Sequence, residues 1–303
     1  MPHTYPSTVT VNVGALSIEE VVAVARHGAK VEIAPEALAE VAATRERVEE
    51  LAQDPTPVYG ISTGFGALAR RHIPEEMRAQ LQLSLVRSHA AGTGEEIEEE
   101  VIRALMLLRL STLCTGRTGV RPVVVETYAK ALNADIIPVV REYGSLGCSG
   151  DLAPLAHCAL ALLGEGEVRV KGELKDAGEA LSAAGIEPLH LKEKEGLALI
   201  NGTDGMLGQL CLAITDLRAA AKTADIATAM TVEGLLGTLV VFADDLQRLR
   251  PHPGQAAAAA NILQVAEGSE ILEAALEEFR KNQVQDAYSV RCAPQVAGGF
   301  RDT

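Results

Sequence analysis

The sequence predicts a mainly α-helical fold, in which a mixed N-terminal part leads into the start of a long central helix bundle that oligomerisation completes. Apolar residues recur with helical spacing through the first two hundred positions. Residues 203–242 then form an alanine- and leucine-rich run without proline. A helix that is apolar nearly all round is usually buried inside a bundle. We therefore expect a mixed α/β part over 1–200 and the beginning of the bundle over 201–303.

Within the first part, hydrophobic periodicity and proline positions define the individual elements. The second predicted helix opens with a proline, which is favoured at the first helical position. Short strands are expected at 9–13 and 168–170, with a hairpin turn at Lys171–Gly172. The pattern predicts helices over 18–27, 35–52, 74–88, 96–111, 122–132 and 151–163.

Composition narrows the class of protein. The chain has 303 residues, of which 48% are hydrophobic, so it is long enough to bury a large core. Its 27 basic against 41 acidic residues give a formal net charge of -14, which disfavours nucleic acid and anionic membranes as partners. Charges interrupt the long apolar run, so no membrane span is expected. The N-terminus has no apolar signal segment, and a cytoplasmic location is predicted.

Cysteine usage points to the same compartment. The five cysteines show no C-x-x-C spacing, so reduced thiols are expected instead of disulfides or a zinc site, and no metal is predicted. They are Cys114, Cys148, Cys158, Cys211 and Cys292.

The most informative segment is the glycine-punctuated stretch 144–157, which places Cys148-Ser149-Gly150 directly before an apolar helix. Glycine lacks a Cβ, so the Gly150 amide nitrogen can approach and attack the Cys148 carbonyl carbon. Loss of water closes a five-membered ring, and elimination of the Ser149 hydroxyl leaves an exocyclic methylene. The product, 4-methylidene-imidazol-5-one, is an electrophile that no ordinary side chain supplies.

Other interpretations of this segment stay open from the residues alone. Asp151 is a plausible N-cap of the following helix, which makes the loop purely structural. Cys148 and His157 suggest a thiol–imidazole pair, although the sequence does not show that they face each other. A hydrolase nucleophile elbow is disfavoured because Asp151 stands where that motif requires glycine.

Three further segments carry residues of interest. Residues 59–66 combine glycines and hydroxyls with Tyr59, which suits either a covering loop or a structural turn. This segment only faintly imitates a dinucleotide fingerprint, so no nucleotide is expected. His89 ends a predicted helix, either as a capping residue or in a functional role. Asn201 lies in the turn before the long run, as a cap or as a hydrogen-bonding arm.

A fourth segment, residues 284–292, brings together an amide, a phenol and a guanidinium. The guanidinium of Arg291 has the shape to bind a carboxylate with two hydrogen bonds. Surface decoration is the alternative.

Taken together and in this order, the motifs at 59–66, 88–92, 144–157, 193–203 and 284–296 resemble the N-terminal portion of histidine ammonia-lyases, in the aromatic amino acid lyase family. The resemblance implies that Cys148-Ser149-Gly150 matures into the methylidene-imidazolone, without metal or nucleotide. It also implies a homotetramer with sites shared between subunits. Members of that family run on beyond this length, so a C-terminal remainder is expected to be absent here.

The resemblance also assigns roles to single side chains. Tyr59 matches the base that removes the β-proton, which requires the site to favour its phenolate. Tyr288 matches a second functional tyrosine, and Arg291 would hold the substrate carboxylate. His89 matches the position that selects the substrate ring. Asn201 and Gln285 would position the electrophile, the carboxylate or the amine by hydrogen bonds.

One departure concerns the triad itself, since Cys148 stands where the family usually has alanine. The ring uses only the backbone of that residue, so cyclisation is expected to survive. The expected reaction converts the small amino acid L-histidine to trans-urocanate and ammonia. The alternatives are a tyrosine ammonia-lyase or aminomutase with the same electrophile, and a non-catalytic N-terminal fragment.

Overall fold

A computed structural model describes residues 5–147, 150–282 and 284–303, and at 278–282 it describes the backbone alone. The chain forms two compact units, one ending at Leu212 and the other running from Ala213 to Thr303. The mainly α-helical class predicted from the sequence is confirmed.

The first unit combines eight helices with small sheets in its described part. β1 (Thr8–Val11) pairs in parallel with β2 (Lys30–Ile33), and β3 (Thr93–Glu96) pairs antiparallel with β5 (Arg141–Tyr143). β4 (Ile136–Pro138), β6 (Glu167–Val170) and β7 (Glu173–Asp176) form a three-stranded antiparallel sheet. The helices are α1 (Ile18–His27), α2 (Pro35–Gln53), α3 (Glu75–His89), α4 (Glu99–Cys114), α5 (Pro122–Asn133), α6 (Leu152–Leu162), α7 (Ala177–Ala183) and α8 (Glu195–Ile200).

Local signals account for most of these bounds. α1 begins at a capping box, in which Ser17 and Glu20 satisfy each other's backbone N–H, and it ends at Gly28 with φ +65°. The hairpin predicted at Lys171–Gly172 joins β6 to β7. The helix predicted from residue 96 begins later, at Glu99, because residues 93–96 pair with β5.

One polar contact joins the end of α3 to α6 inside this unit. The Gly92 N–H donates to Nε2 of the half-buried His157 at 3.1 Å. A neutral imidazole is therefore needed there, with its hydrogen on Nδ1. Burial lowers the pKa of His157 below its usual 6.5, and the positive charge of Arg141 lowers that pKa further.

Within the described residues of the second unit, every regular element is a helix, and the core includes Val232, Phe242 and Ile262. α9 (Asp204–Gly234) begins before the unit boundary. A short 3-10 turn at Val240–Phe242 follows it. The remaining helices are α10 (Asp244–Arg248), α11 (Pro253–Val265), α12 (Glu270–Asn282), α13 (Tyr288–Arg291) and α14 (Ala293–Asp302).

The long apolar run is shorter as a helix than residues 203–242, because α9 stops at Gly234. Leu236 adopts a left-handed conformation with φ +54°, and the Gly237 N–H donates to the Val232 carbonyl at 2.8 Å. This six-to-one bond closes the helix end. Several apolar side chains of α9 are exposed in this chain, among them Leu217 and Met230. In the part of the chain described, no helix is long and apolar enough to cross a membrane.

Glycines allow α11 and α14 to pack closely. A Cβ added to Gly298 would lie 2.6 Å from the Gln255 backbone nitrogen, and one added to Gly254 would lie 2.7 Å from the Arg301 Cβ. The buried Asp225 carboxylate of α9 accepts bonds from Arg301 at 2.5 Å and Asn261 at 2.7 Å. These contacts fix α9, α11 and α14 against one another.

Gly298→Ala is expected to destabilise the protein by about 1–3 kcal/mol, because the added methyl group overlaps the α11 backbone. Gly299→Ala is the matched control, since no described atom lies within 4 Å of a Cβ at that position. The control is expected to be neutral or stabilising by roughly 0.5–1 kcal/mol through helix propensity. Denaturant unfolding measures both values, and equal losses for the two variants would contradict the packing argument.

His157 is expected to make the protein less stable as the solution becomes acidic. At high pH its imidazole is neutral in both folded and unfolded states, and it contributes no pH dependence. Below the ordinary pKa of 6.5 the unfolded chain binds a proton that the folded protein binds less readily, so the free energy of unfolding falls.

The measurement is urea unfolding at about pH 7.5 and about pH 5.5, in wild type and in His157→Gln. The glutamine oxygen can still accept the Gly92 N–H but does not titrate, so the variant should lose less stability on acidification. All other titrating groups are common to both proteins. An identical loss in the two would rule out His157 as a source of the effect.

Candidate active site

Gly150 is held in a conformation and a space that only glycine tolerates. Its φ is +114°, and a Cβ added there would overlap the carbonyl oxygen of Gly202. The Leu146 N–H donates to the Gly150 carbonyl at 3.1 Å. Cys148 and Ser149, the other two residues of the predicted electrophile, lie outside the described residues. Of the three residues, the structure therefore describes the surroundings of Gly150 alone.

Asp151 joins this loop to the start of α9. Its backbone N–H donates to the Gly202 carbonyl at 2.8 Å. The buried carboxylate accepts from the backbone N–H groups of Gly205 at 2.7 Å and Met206 at 3.0 Å. Asp151 occupies the N-cap position of α6, but among the described contacts its side chain makes no capping bond to that helix. It satisfies the unpaired N–H groups of a different helix instead.

Asn201 and Gly202 form the corner between α8 and α9. The side chain of Asn201 is exposed, while its backbone N–H donates to Leu197 and its carbonyl accepts from Arg109 at 3.2 Å. Asn201 therefore ends α8 through its backbone and leaves its amide group free to face solvent or a ligand. Arg109 also makes a buried ion pair with Asp204, the first residue of α9.

Tyr59 projects from an internally hydrogen-bonded turn. The Val58 carbonyl accepts from three successive N–H groups, and the buried Ser62 hydroxyl accepts from the Val58 N–H at 2.9 Å. The Tyr59 ring is half exposed and meets Phe65 edge-on, with 6.1 Å between ring centroids. Gly60 (φ +72°) lets the turn approach Leu197 of α8. A rigid turn thus presents an accessible phenol beside α8.

His89 is the last residue of α3, and its orientation is fixed by its own helix. Nδ1 lies 2.9 Å from the Leu85 carbonyl oxygen and 3.1 Å from the Ser88 hydroxyl. A carbonyl oxygen only accepts hydrogen bonds, so Nδ1 carries a hydrogen. In the neutral ring this leaves Nε2 as the acceptor that is available to a ligand.

The elements that carry these residues pack on one another within the first unit. α3, α6 and α8 are in mutual contact. The buried Gln82 side chain of α3 accepts from the Gly196 N–H at 2.8 Å and from the Leu197 N–H at 3.3 Å, which ties α3 to the start of α8. The three helices that border His89, Gly150 and Asn201 therefore pack as one cluster.

Gln285, Tyr288 and Arg291 belong to the second unit. Asp286 anchors their segment by accepting from the Thr238 N–H at 2.9 Å. The Arg291 guanidinium lies over the exposed Tyr288 ring, 4.2 Å from its centroid, and the Gln285 side chain is exposed. A guanidinium that stacks on an aromatic face keeps its N–H groups in its own plane, where a carboxylate can bind them. The Nε of Arg291 is buried and has no partner among the described residues.

The thiol–imidazole alternative pairs Cys148 with His157, of which only His157 lies among the described residues. Cys114, Cys158 and Cys211 are buried free thiols, and burial raises the pKa of Cys158 far above the range where a thiolate forms. Nε2 of His157 is occupied by the Gly92 N–H. Across 5–147, 150–282 and 284–303, no group of histidine, cysteine and acidic side chains is placed to hold a metal ion.

Sequence reasoning missed Arg109, Asp204 and Gln82 as parts of the site's framework. Arg109 is 1% exposed and stands within the apolar run of α4, and a lone arginine in such a run was the available signal. Asp204 and Gln82 carried no comparable signal, because their roles depend on contacts over long sequence separations.

Comparison with known proteins identifies the family of the chain. Residues 16–303 match the aromatic amino acid lyase family. Histidine ammonia-lyase from Streptomyces coelicolor is 59% identical over 98% of this chain, and that of Deinococcus radiodurans is 45% identical over 95%. The chain spans 58% and 54% of the lengths of these two relatives.

Solved structures agree in fold. A tyrosine aminomutase from Streptomyces globisporus superposes with a TM-score of 0.89 at 38% identity, covering 97% of this chain and 59% of that one. Histidine ammonia-lyase from Trypanosoma cruzi gives a TM-score of 0.86 at 37% identity, covering 97% and 54%. With the family match extending over nearly the whole sequence, the chain belongs to the aromatic amino acid lyase family.

Proposed function

We propose that this chain carries the electrophile-forming part of an ammonia-lyase that converts L-histidine to trans-urocanate and ammonia. The observation that carries the proposal is the backbone of Gly150, held at φ +114° under the Gly202 carbonyl. Curated relatives at 58–59% identity that are named histidine ammonia-lyase support the choice of substrate.

The residues present fit a methylidene-imidazolone. Ring closure needs a residue without a Cβ at the attacking nitrogen, and a Cβ at Gly150 has no space. The Gly150 carbonyl and the next backbone N–H are both held by hydrogen bonds, to Leu146 and Gly202. Cys148 contributes only backbone atoms to the ring, so its thiol does not oppose closure.

When formed, this group supplies an electrophilic methylene that makes ammonia a better leaving group. The chain's own side chains would bind the substrate and take its proton. Tyr59 would take the β-proton of the substrate, which requires stabilisation of its phenolate. His89 would accept a hydrogen bond from the imidazole ring at Nε2. Arg291 would bind the substrate carboxylate, with Tyr288 beside it.

Asn201 and Gln285 would orient the amine or the carboxylate through their exposed amide groups. We further propose a domain division near residue 200, a cytoplasmic location, and a homotetramer in which subunits share sites. The exposed apolar side chains of α9, such as Leu217 and Met230, support assembly into a larger bundle.

The first test of the proposal is the intact mass of the protein. Wild type should be lighter than its sequence by two water molecules, because cyclisation and elimination each release one. Ser149→Ala has no hydroxyl to eliminate and should not show this double loss. A wild-type mass equal to that of the unmodified sequence would exclude the electrophile in this protein.

The second test concerns the substrate. We expect urocanate from L-histidine at a higher kcat/KM than coumarate from L-tyrosine. His89→Leu should lower kcat/KM for L-histidine by about 10- to 100-fold, through loss of the hydrogen bond to the substrate ring. Absorbance of the two unsaturated products measures both reactions.

Gln80→Ala, an exposed change on the same helix, is the control and should leave both values unchanged. A higher kcat/KM for L-tyrosine would replace the histidine assignment with the tyrosine alternative, which the 38% identity to a tyrosine aminomutase keeps open.

A further inference from the structure

We propose that Arg109 is a positioning residue for ring closure, acting through the corner between α8 and α9. The inference rests on the proposed function, because it concerns how the same electrophile forms. Arg109 lies on α4 and is not one of the residues that the resemblance places at the substrate. Its contacts nevertheless converge on the backbone that holds Gly150.

Arg109 binds the corner between α8 and α9 through hydrogen bonds. Its Nη1 donates to the Ala198 carbonyl at 3.2 Å, and its Nη2 donates to the Asn201 carbonyl at 3.2 Å. These carbonyls lie at the end of α8, where intrahelical partners run out. Nη2 also contacts the Asp204 carboxylate at the start of α9. One planar guanidinium therefore joins the end of one helix to the beginning of the next.

The second step is direct contact with Gly202, the residue at the centre of the corner. A Cβ added to Gly202 would overlap Arg109 Nη2 and the Asp204 carboxylate. The guanidinium thus occupies the space beside the Gly202 backbone that a side chain would otherwise take. Any shift of this group is passed on to the peptide of Gly202.

The third step is the contact of Gly202 with the loop. The Gly202 carbonyl accepts from the Asp151 N–H at 2.8 Å and lies against the Cα of Gly150. Its position sets where the Gly150 nitrogen lies, and that nitrogen is the nucleophile of the first step. Attack rates depend steeply on such placement, and misplacement by about 1 Å costs roughly 100-fold.

The chemical step that depends on this placement is balanced. The Gly150 nitrogen bonds to the Cys148 carbonyl carbon. That carbon's oxygen leaves as water with one hydrogen from the Gly150 N–H and one from the Ser149 N–H, which leaves a C=N double bond in the ring. The Ser149 Cα–H and Cβ–OH then leave as a second water and form the exocyclic double bond. No oxidant or reductant is consumed.

A purely structural role is the competing explanation, since the Arg109–Asp204 pair is buried and Thr112 also donates to Asp204, at 3.0 Å. A variant that removes both charges together distinguishes the structural role of Arg109 from its positioning role. Replacing a buried ion pair by apolar side chains of similar size often preserves stability. Such a replacement still removes the hydrogen bonds from residue 109 to the Ala198 and Asn201 carbonyls.

The experiment compares intact mass over time after synthesis with thermal unfolding, in the intact protein. Arg109→Met combined with Asp204→Leu should keep its Tm within roughly 5 °C of wild type. Its double loss of water should be about 10- to 100-fold slower. Arg109→Lys keeps the charge but loses the fork that reaches both carbonyls, so it should also mature slowly.

Arg103→Lys is the matched control on the same helix. Arg103 likewise bonds a carbonyl and a carboxylate, but these belong to Val24 and Asp135. This control should mature at the wild-type rate. If the double variant does not fold, the folded Arg109→Lys variant decides by the same mass measurement.

Maturation of the folded Arg109 variants at the wild-type rate, beside a matured wild type, would overturn this inference alone. A wild type that never loses two waters would overturn the proposed function, and this inference with it. The two failures are distinguished by the wild-type mass.

Discussion

The contact on which the site depends is the meeting of the Gly150 and Gly202 backbones. It brings a loop before α6 against the corner before α9, and it leaves no space for a side chain on either residue. Two polar side chains hold it in place. Asp151 caps α9 from the loop, while Arg109 binds the corner from α4. Because each group is buried and bonded, neither can move without exposing an unsatisfied partner.

The side chains proposed to be functional are positioned by hydrogen bonds at helix ends and turns. Gln82 caps α8, Leu85 fixes the imidazole of His89, and the Val58 carbonyl closes the turn that presents Tyr59. Helix ends expose unpaired N–H and carbonyl groups, and here side chains and loops satisfy them. The same ends supply the irregular backbone on which binding residues commonly lie.

Much of this could be predicted from residue patterns, and the exceptions have physical causes. Helical periodicity and proline placed α1, α2, α5 and α6 within about two residues, the usual precision of such bounds. α9 ends earlier than the predicted run because Leu236 adopts a left-handed conformation. A leucine rarely adopts that conformation, so the sequence contains no signal for it.

In the candidate site, the glycine-rich loop and the order of the motifs predicted roles for Gly150 and His89. A backbone position that only glycine tolerates is visible in the sequence as a glycine. The roles of Arg109 and Asp204 were not predicted, since they come from packing between segments that are distant in the sequence. The interpretation of Asp151 as a side-chain N-cap of the following helix was wrong, because its carboxylate accepts from N–H groups of α9, which lies about fifty residues further along the chain.

The distance along the chain between Arg109 and Asp204, 95 residues, has a consequence for timing. Their ion pair cannot exist until α4 and the start of α9 have come together. Under the proposed function, ring closure would therefore wait until these two segments have folded together. The electrophilic methylene would then form inside folded protein, which would protect the cell's amines and thiols, and the chain itself, from premature alkylation.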